Sequence, residues 1–138
     1  PKDIQAVDDL RRADIKFINR NPGSGTRIWL DIQLKKHDIP GSAVQGYADN
    51  VRTHTQVARA VHLGDVDTGL AIEAAALSFD LDFIPLFQER FDLVISDESI
   101  GDHRLLPIFE RLESAEFRRE VDGLGGYDTA HTGDQIYI

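Results

Sequence analysis

Phe17-Ile18-Asn19-Arg20-Asn21-Pro22-Gly23-Ser24-Gly25-Thr26-Arg27 is the stretch on which the fold of this chain turns. β-Branched and aromatic residues run from Ile15 to Ile18 and stop at Asn21-Pro22-Gly23, a combination that favours a turn. Beyond the turn Ile28, Trp29, Ile32 and Leu34 recur at roughly helical spacing, with Lys35 and Lys36 placed for a last turn. The stretch therefore reads strand, turn, helix, and Asp38-Ile39-Pro40-Gly41 ends the helix. Such a junction presents unpaired backbone N–H groups, the positive end of a helix dipole and the hydroxyls of Ser24 and Thr26. Two readings stay open: a cradle for a small anion, in which Arg27 also supplies charge, or a tight turn with a hydroxyl cap.

Nucleotide readings of the junction fail on spacing. It lacks the Gly-x-x-x-x-Gly-Lys-Ser/Thr phosphate loop, and Ile28 stands where a dinucleotide fingerprint needs its third glycine.

The same logic recurs downstream. Residues 43–47 read as a second strand, and a helix is predicted over 53–63 with Val57, Ala60, Val61 and Leu63 inward and Gly64 as its stop. Thr53 is placed to cap it, with His54 beside the cap. Residues 67–72 read as a third strand leading into a small helix over 73–79. Parallel strands bring successive helix starts to one sheet edge, where ligands of open α/β sheets sit. Further strands are predicted at 83–86 and 91–95, then a polar segment over 97–103 and helices over 104–112 and 115–121, the latter capped by Ser114. Residues 7–12 read as a short opening helix with Leu10 inward. The alternation of strands and helices gives an α/β fold with a mainly parallel sheet.

Composition bounds the function. The chain has 138 residues, 41% hydrophobic and 28% charged, the size of one domain. With no cysteine it has no disulfide, thiolate metal site or cysteine nucleophile. A net charge of −9 argues against a nucleic-acid surface but leaves room for a small anion held by local amides. The five histidines lack metal-site spacing, and no nucleophile, base and orienter occur together, so a metal centre and catalysis are not expected. No apolar run reaches membrane-spanning length, and no signal-peptide pattern opens the chain. The start at Pro1, with no Met anywhere, reads as a processed chain or a piece of a longer one.

In order, the opening stretch, Gly46-Tyr47 with Thr53-His54, residues 65–70, Leu81-Asp82-Phe83-Ile84-Pro85-Leu86, Glu89-Arg90-Phe91-Asp92-Leu93-Val94-Ile95 and Gly126-Tyr127-Asp128-Thr129 resemble the periplasmic-binding-protein-like domain of the molybdate-binding type. That domain is often fused to a helix-turn-helix module or a molybdopterin-biosynthesis enzyme. The resemblance implies a type 2 periplasmic-binding fold, two α/β lobes closing on a tetrahedral oxyanion, molybdate or tungstate. This chain is then one lobe, residues 1–96, plus helices and a tail, 97–138, returning toward a mostly absent first lobe. Carried over by position, the ligand-binding residues are Ser24, Gly25, Thr26, Arg27, Thr53 and His54, with Tyr127 approaching from the tail. The implied function is a non-catalytic, cofactor-free sensor for the oxyanion that regulates a fused or associated DNA-binding or molybdenum-cofactor module. Its compartment is then the cytoplasm, with the periplasm as the alternative. Two other functions remain: a regulatory or interaction module without ligand, and an effector domain for a small organic ligand with an apolar pocket near Tyr47 and Phe87.

Overall fold

The structure, a computed structural model, describes residues 2–136; Pro1 and the last two residues of the predicted tail, Tyr137 and Ile138, lie outside them. Three parallel strands form the sheet: β1 (Phe17–Arg20), β2 (Asn50–Val51) and β3 (Thr68–Gly69). Their order is β2-β1-β3, with Asn19 opposite Asn50 and Phe17 opposite Thr68. The first strand in sequence is thus the central one, and the direction of winding reverses there. Helix α1 (Gly25–Lys36) follows β1, α2 (His54–His62) follows β2, and α3 (Glu73–Leu77) follows β3.

Side chains alternate across β1, and the two faces serve different neighbours. Phe17 joins the core with Ile15, Leu30, Leu34, Ile39 and Val44, and Val7 and Leu10 of a short 3-10 helix (Val7–Arg11) complete it. Ile18 points the other way, toward Val57 of α2, and this layer closes only because residue 69 is glycine. A Cβ there would lie 2.6 Å from Val57 Cγ1 and 2.8 Å from the Ile18 carbonyl oxygen.

Parallel strands and the order of helices agree with the sequence reading; several details do not. Residues 43–47 are not a strand: after Pro40 the chain makes a 3-10 turn (Gly41–Ala43), and β2 begins only at Asn50. Gly46 allows this path, because its φ is +89° and a Cβ would stand 2.0 Å from the Phe17 carbonyl oxygen. On α1 the buried side chains are Thr26, Leu30 and Leu34, while Ile28 and Ile32 are half exposed. Helix α2 buries Val57 and Ala58, and Leu63 is exposed. Trp29 packs partly buried against the core, as its place on an apolar helix predicts.

The chain divides into two compact units, Pro1–Leu86 and Phe87–Ile138. Residues 83–86 and 91–95 are not strands: no ladder partner pairs with them among the described residues, and apolar β-branched character alone does not make a strand. In the second unit α4 (Asp97–Ile100) is followed by α5 (Leu106–Glu113) and α6 (Ala115–Asp122). Ser114 caps α6, its Oγ accepting from the Phe117 amide at 3.1 Å. Arg111 on α5 pairs with Glu116 and Glu120 on α6. The tail folds back onto α6, where the Thr129 hydroxyl donates to Asp122 and Arg118 donates to the Thr132 carbonyl.

Candidate functional site

The carboxyl edge of the sheet is where β1 and β2 give way to α1 and α2. After Arg20 the Asn21 amide donates to the Val51 carbonyl at 3.0 Å, so the turn into α1 is still tied to β2. The Ser24 Oγ accepts from the Arg27 amide at 3.2 Å, which makes Ser24 the N-cap of α1. A hydroxyl that accepts there keeps its own O–H to donate. Gly25 and Thr26 supply the first two amides of the helix, which have no carbonyl one turn back to bind. Gly25 is exposed, whereas the Thr26 side chain is buried in the core-facing side of α1.

Helix α2 starts in the same manner with more support. Thr53 Oγ1 accepts from the Gln56 amide at 3.1 Å, and Gln56 Oε1 accepts from the Thr53 amide at 3.2 Å and the Arg52 amide at 2.9 Å. This reciprocal pair fixes the entry to the helix and leaves the amides of His54 and Thr55 ahead of the ladder.

The two arginines of the opening stretch have different fates. Arg27 turns back along α1: its Nε donates to Asp31 at 2.9 Å, and its guanidinium lies 4.2 Å over the Tyr47 ring. The Tyr47 hydroxyl donates to the same carboxylate at 2.8 Å. Burial works against the Arg27 charge, but bonding to Tyr47 and Asp31 outweighs it and raises its pKa. Arg20, at the end of β1, reaches α2 instead. Its Nη1 lies 2.8 Å from His54 Nε2, and its Nη2 donates to the Arg52 carbonyl at 2.9 Å. Arginine cannot accept, so His54 Nε2 must, which places the imidazole proton on Nδ1. Burial first, and the Arg20 charge second, hold the His54 pKa below its ordinary value and keep the ring neutral. Burial likewise lowers the Arg20 pKa. Neither Arg20 Nε nor His54 Nδ1 has a hydrogen-bond partner, and both are buried.

Thus Ser24, Gly25, Thr26 and Arg27 open α1, and Thr53 and His54 open α2, at one edge of one sheet. Tyr127 belongs to the second unit, where it is exposed. Sequence reasoning passed over Arg20, whose contact with His54 joins residues 34 apart. It also passed over Asn19, which is 1% exposed. The Asn19 side chain donates to the Tyr47 carbonyl and accepts from the Arg20 amide, holding the strand end in register with the loop before β2. Beside Tyr47 an open concavity of about 420 Å³ is bordered by Asp31, Lys35 and Asp38 as well as Leu34 and Ile39. No group of His, Cys, Asp and Glu side chains with the geometry of a metal site occurs among the described residues. No helix among them is long and apolar enough to cross a membrane.

A family model described as a PBP superfamily domain matches residues 1–113. The chain is 39% identical over 136 residues to the Bacillus subtilis (strain 168) protein named "Uncharacterized protein YvgK". That match takes in 99% of this chain but 44% of the Bacillus protein, so the chain spans less than half the length of this relative. It is 34% identical over 107 residues to a Clostridium pasteurianum protein named "Uncharacterized protein in ferredoxin 2Fe-2S gene 5'region", covering 77% of this chain and 95% of that protein. No solved structure matches.

Proposed function

The chain belongs to the PBP superfamily, and from that premise we propose that it is a non-catalytic binding domain for a tetrahedral oxyanion, molybdate or tungstate. The supporting observation is the pair of capped helix starts at the carboxyl edge of a sheet whose winding reverses at β1. Ligands of open α/β sheets sit beyond the carboxyl ends of the strands, and helix starts at that edge favour an anion. The hydroxyls of Ser24 and Thr53, with the leading amides of α1 and α2, are donors that suit a fully ionised oxyanion, which has no proton to give. In this reading two lobes of the complete protein close over the anion, and closure regulates an attached DNA-binding or molybdenum-cofactor module in the cytoplasm.

Calorimetric titration of the full-length protein with molybdate, tungstate and sulfate tests the proposal. Heat with molybdate or tungstate, abolished by the Ser24→Ala, Thr53→Ala double substitution, is the expected result; no heat with any of the three overturns it.

One observation favours a second reading, an interaction module without ligand. Phe91 and Val94 are 96% and 90% exposed, an unusual position for large apolar side chains. The double variant separates the two, because unchanged regulation of the partner module by that variant would make the anion site irrelevant.

A further inference from the structure

We propose that Asp31 and Tyr47 are positioning residues that set the affinity of this site, by holding the Arg27 guanidinium away from the anion. This rests on the reading of the helix starts as an oxyanion receptor and names what moderates its grip.

The argument begins with where Arg27 stands. It is the third residue of α1, its amide donates to the Ser24 cap, and the first turns of α1 and α2 hold no acidic residue. An anion at this edge would meet a guanidinium in the same turn that supplies the amides. The planar fork of arginine suits a tetrahedral oxyanion, which it can bind through two parallel hydrogen bonds. The side chain goes elsewhere. It runs along α1 to Asp31, with Nε 2.9 Å from one carboxylate oxygen and 3.1 Å from the other. Only 12% of the Arg27 side chain is exposed.

Helix electrostatics do not account for this pair. A cation four residues before an anion is the order that the helix dipole disfavours, and even the better order contributes only a few tenths of a kcal/mol, about 0.2–0.5. What holds Arg27 comes from outside α1. Tyr47, in the loop before β2, donates its hydroxyl to the same carboxylate at 2.8 Å, and the guanidinium lies 4.2 Å from its ring centroid. The ring has little room to yield: a Cβ on Gly41 would stand 2.6 Å from Tyr47 Cε1. The Asn19 side chain donates to the Tyr47 carbonyl at 3.1 Å and fixes the backbone there. Two elements thus clamp one cation beside a site that attracts anions. With Arg27 withheld the anion makes one charge-assisted contact fewer and leaves more readily, which suits a domain that reports ligand by closing and reopening.

The test compares the full-length protein with Asp31→Asn, which removes the charge and keeps the shape, using molybdate as the probe and thermal unfolding to establish that each variant is folded. Release of Arg27 predicts affinity tighter by about fivefold or more in Asp31→Asn. The gain is expected to vanish when Arg27→Gln is added, which separates a freed guanidinium from the mere loss of a negative charge. A clamp that served only the fold would give weaker binding when cut. In the unaltered protein the Arg27 Nε–H resonance is expected to stay in place when molybdate saturates the site, a readout that needs no variant. Affinity in Asp31→Asn that is weaker or changed by less than about twofold, a gain that persists with Arg27→Gln, or an Nε–H resonance that moves at saturation overturns the role of Asp31 and Tyr47 and leaves the receptor standing. Absence of molybdate, tungstate and sulfate binding by the unaltered protein overturns both.

Discussion

Gly46 shows how a single residue decides whether the site can be assembled. Its positive φ and its contact with the Phe17 carbonyl leave no room for a side chain, so Gly46→Ala is expected to cost at least about 2 kcal/mol in urea unfolding. An unchanged midpoint would show that the loop before β2 does not need this path. His54 carries a pH dependence of defined sign. The unfolded chain takes up its histidine proton near pH 6.5, the folded chain only at lower pH, because burial and the Arg20 charge oppose the imidazolium. This contribution to stability is therefore complete above pH 6.5 and falls as pH drops from there through the folded value. Unfolding midpoints measured from about pH 7.5 to about pH 5.5 are expected to decline, and to decline less steeply in His54→Gln.

Among the elements, the two helix starts invite different mutational behaviour. Thr53→Ala removes one half of a reciprocal cap and should destabilise the first unit by about 1 kcal/mol, measured by denaturant unfolding. Because the Gln56 side chain still bonds the Arg52 and Thr53 amides, the helix should begin at the same residue, as amide chemical shifts would show. Thr53 and Ser114 were legible as caps in the sequence, each standing one position before a helical pattern, and a hydroxyl cap was one of the two readings of the opening stretch that Ser24 fulfils. Helix faces were less legible. Spacing alone selected Ile28 and Ile32 for burial, yet α1 turns Thr26, Leu30 and Leu34 inward, since the rotation of a helix is set by the sheet beneath it. The second strand was misplaced for a related reason. Val44 is buried and apolar like a strand residue, but Pro40 and Gly46 route its segment through tight turns. The Arg20–His54 contact joins residues 34 apart, and nothing local in either neighbourhood announces it.

Across the whole molecule, order is unevenly distributed. The first unit is built around a shared core and a sheet, and the second around the α5–α6 hairpin and its tail. Residues 83–86 and 91–95 have strand-like composition without a ladder. Hydrogen exchange should separate these regimes: the amides of Phe17 and Asn19, bonded to the Gln45 and Asp49 carbonyls, are expected to exchange orders of magnitude more slowly than those of Ile84 and Val94. Comparable protection at both places would mean that the apolar segments are paired after all.

The strand order also governs how this protein comes off the ribosome. β1 is made first yet lies in the middle, and its two neighbours arrive at residues 50–51 and 68–69. A nascent chain that has emerged only as far as α1 lacks both of the strands that pair with β1 in this sheet. The sheet can close only when Gly69 is outside the exit tunnel, so the first unit is acquired in one late step rather than strand by strand. Until then Phe17 and Ile18 lack these two partners, and the interval between translating Arg20 and Gly69 is the window in which a chaperone would matter most for this sheet.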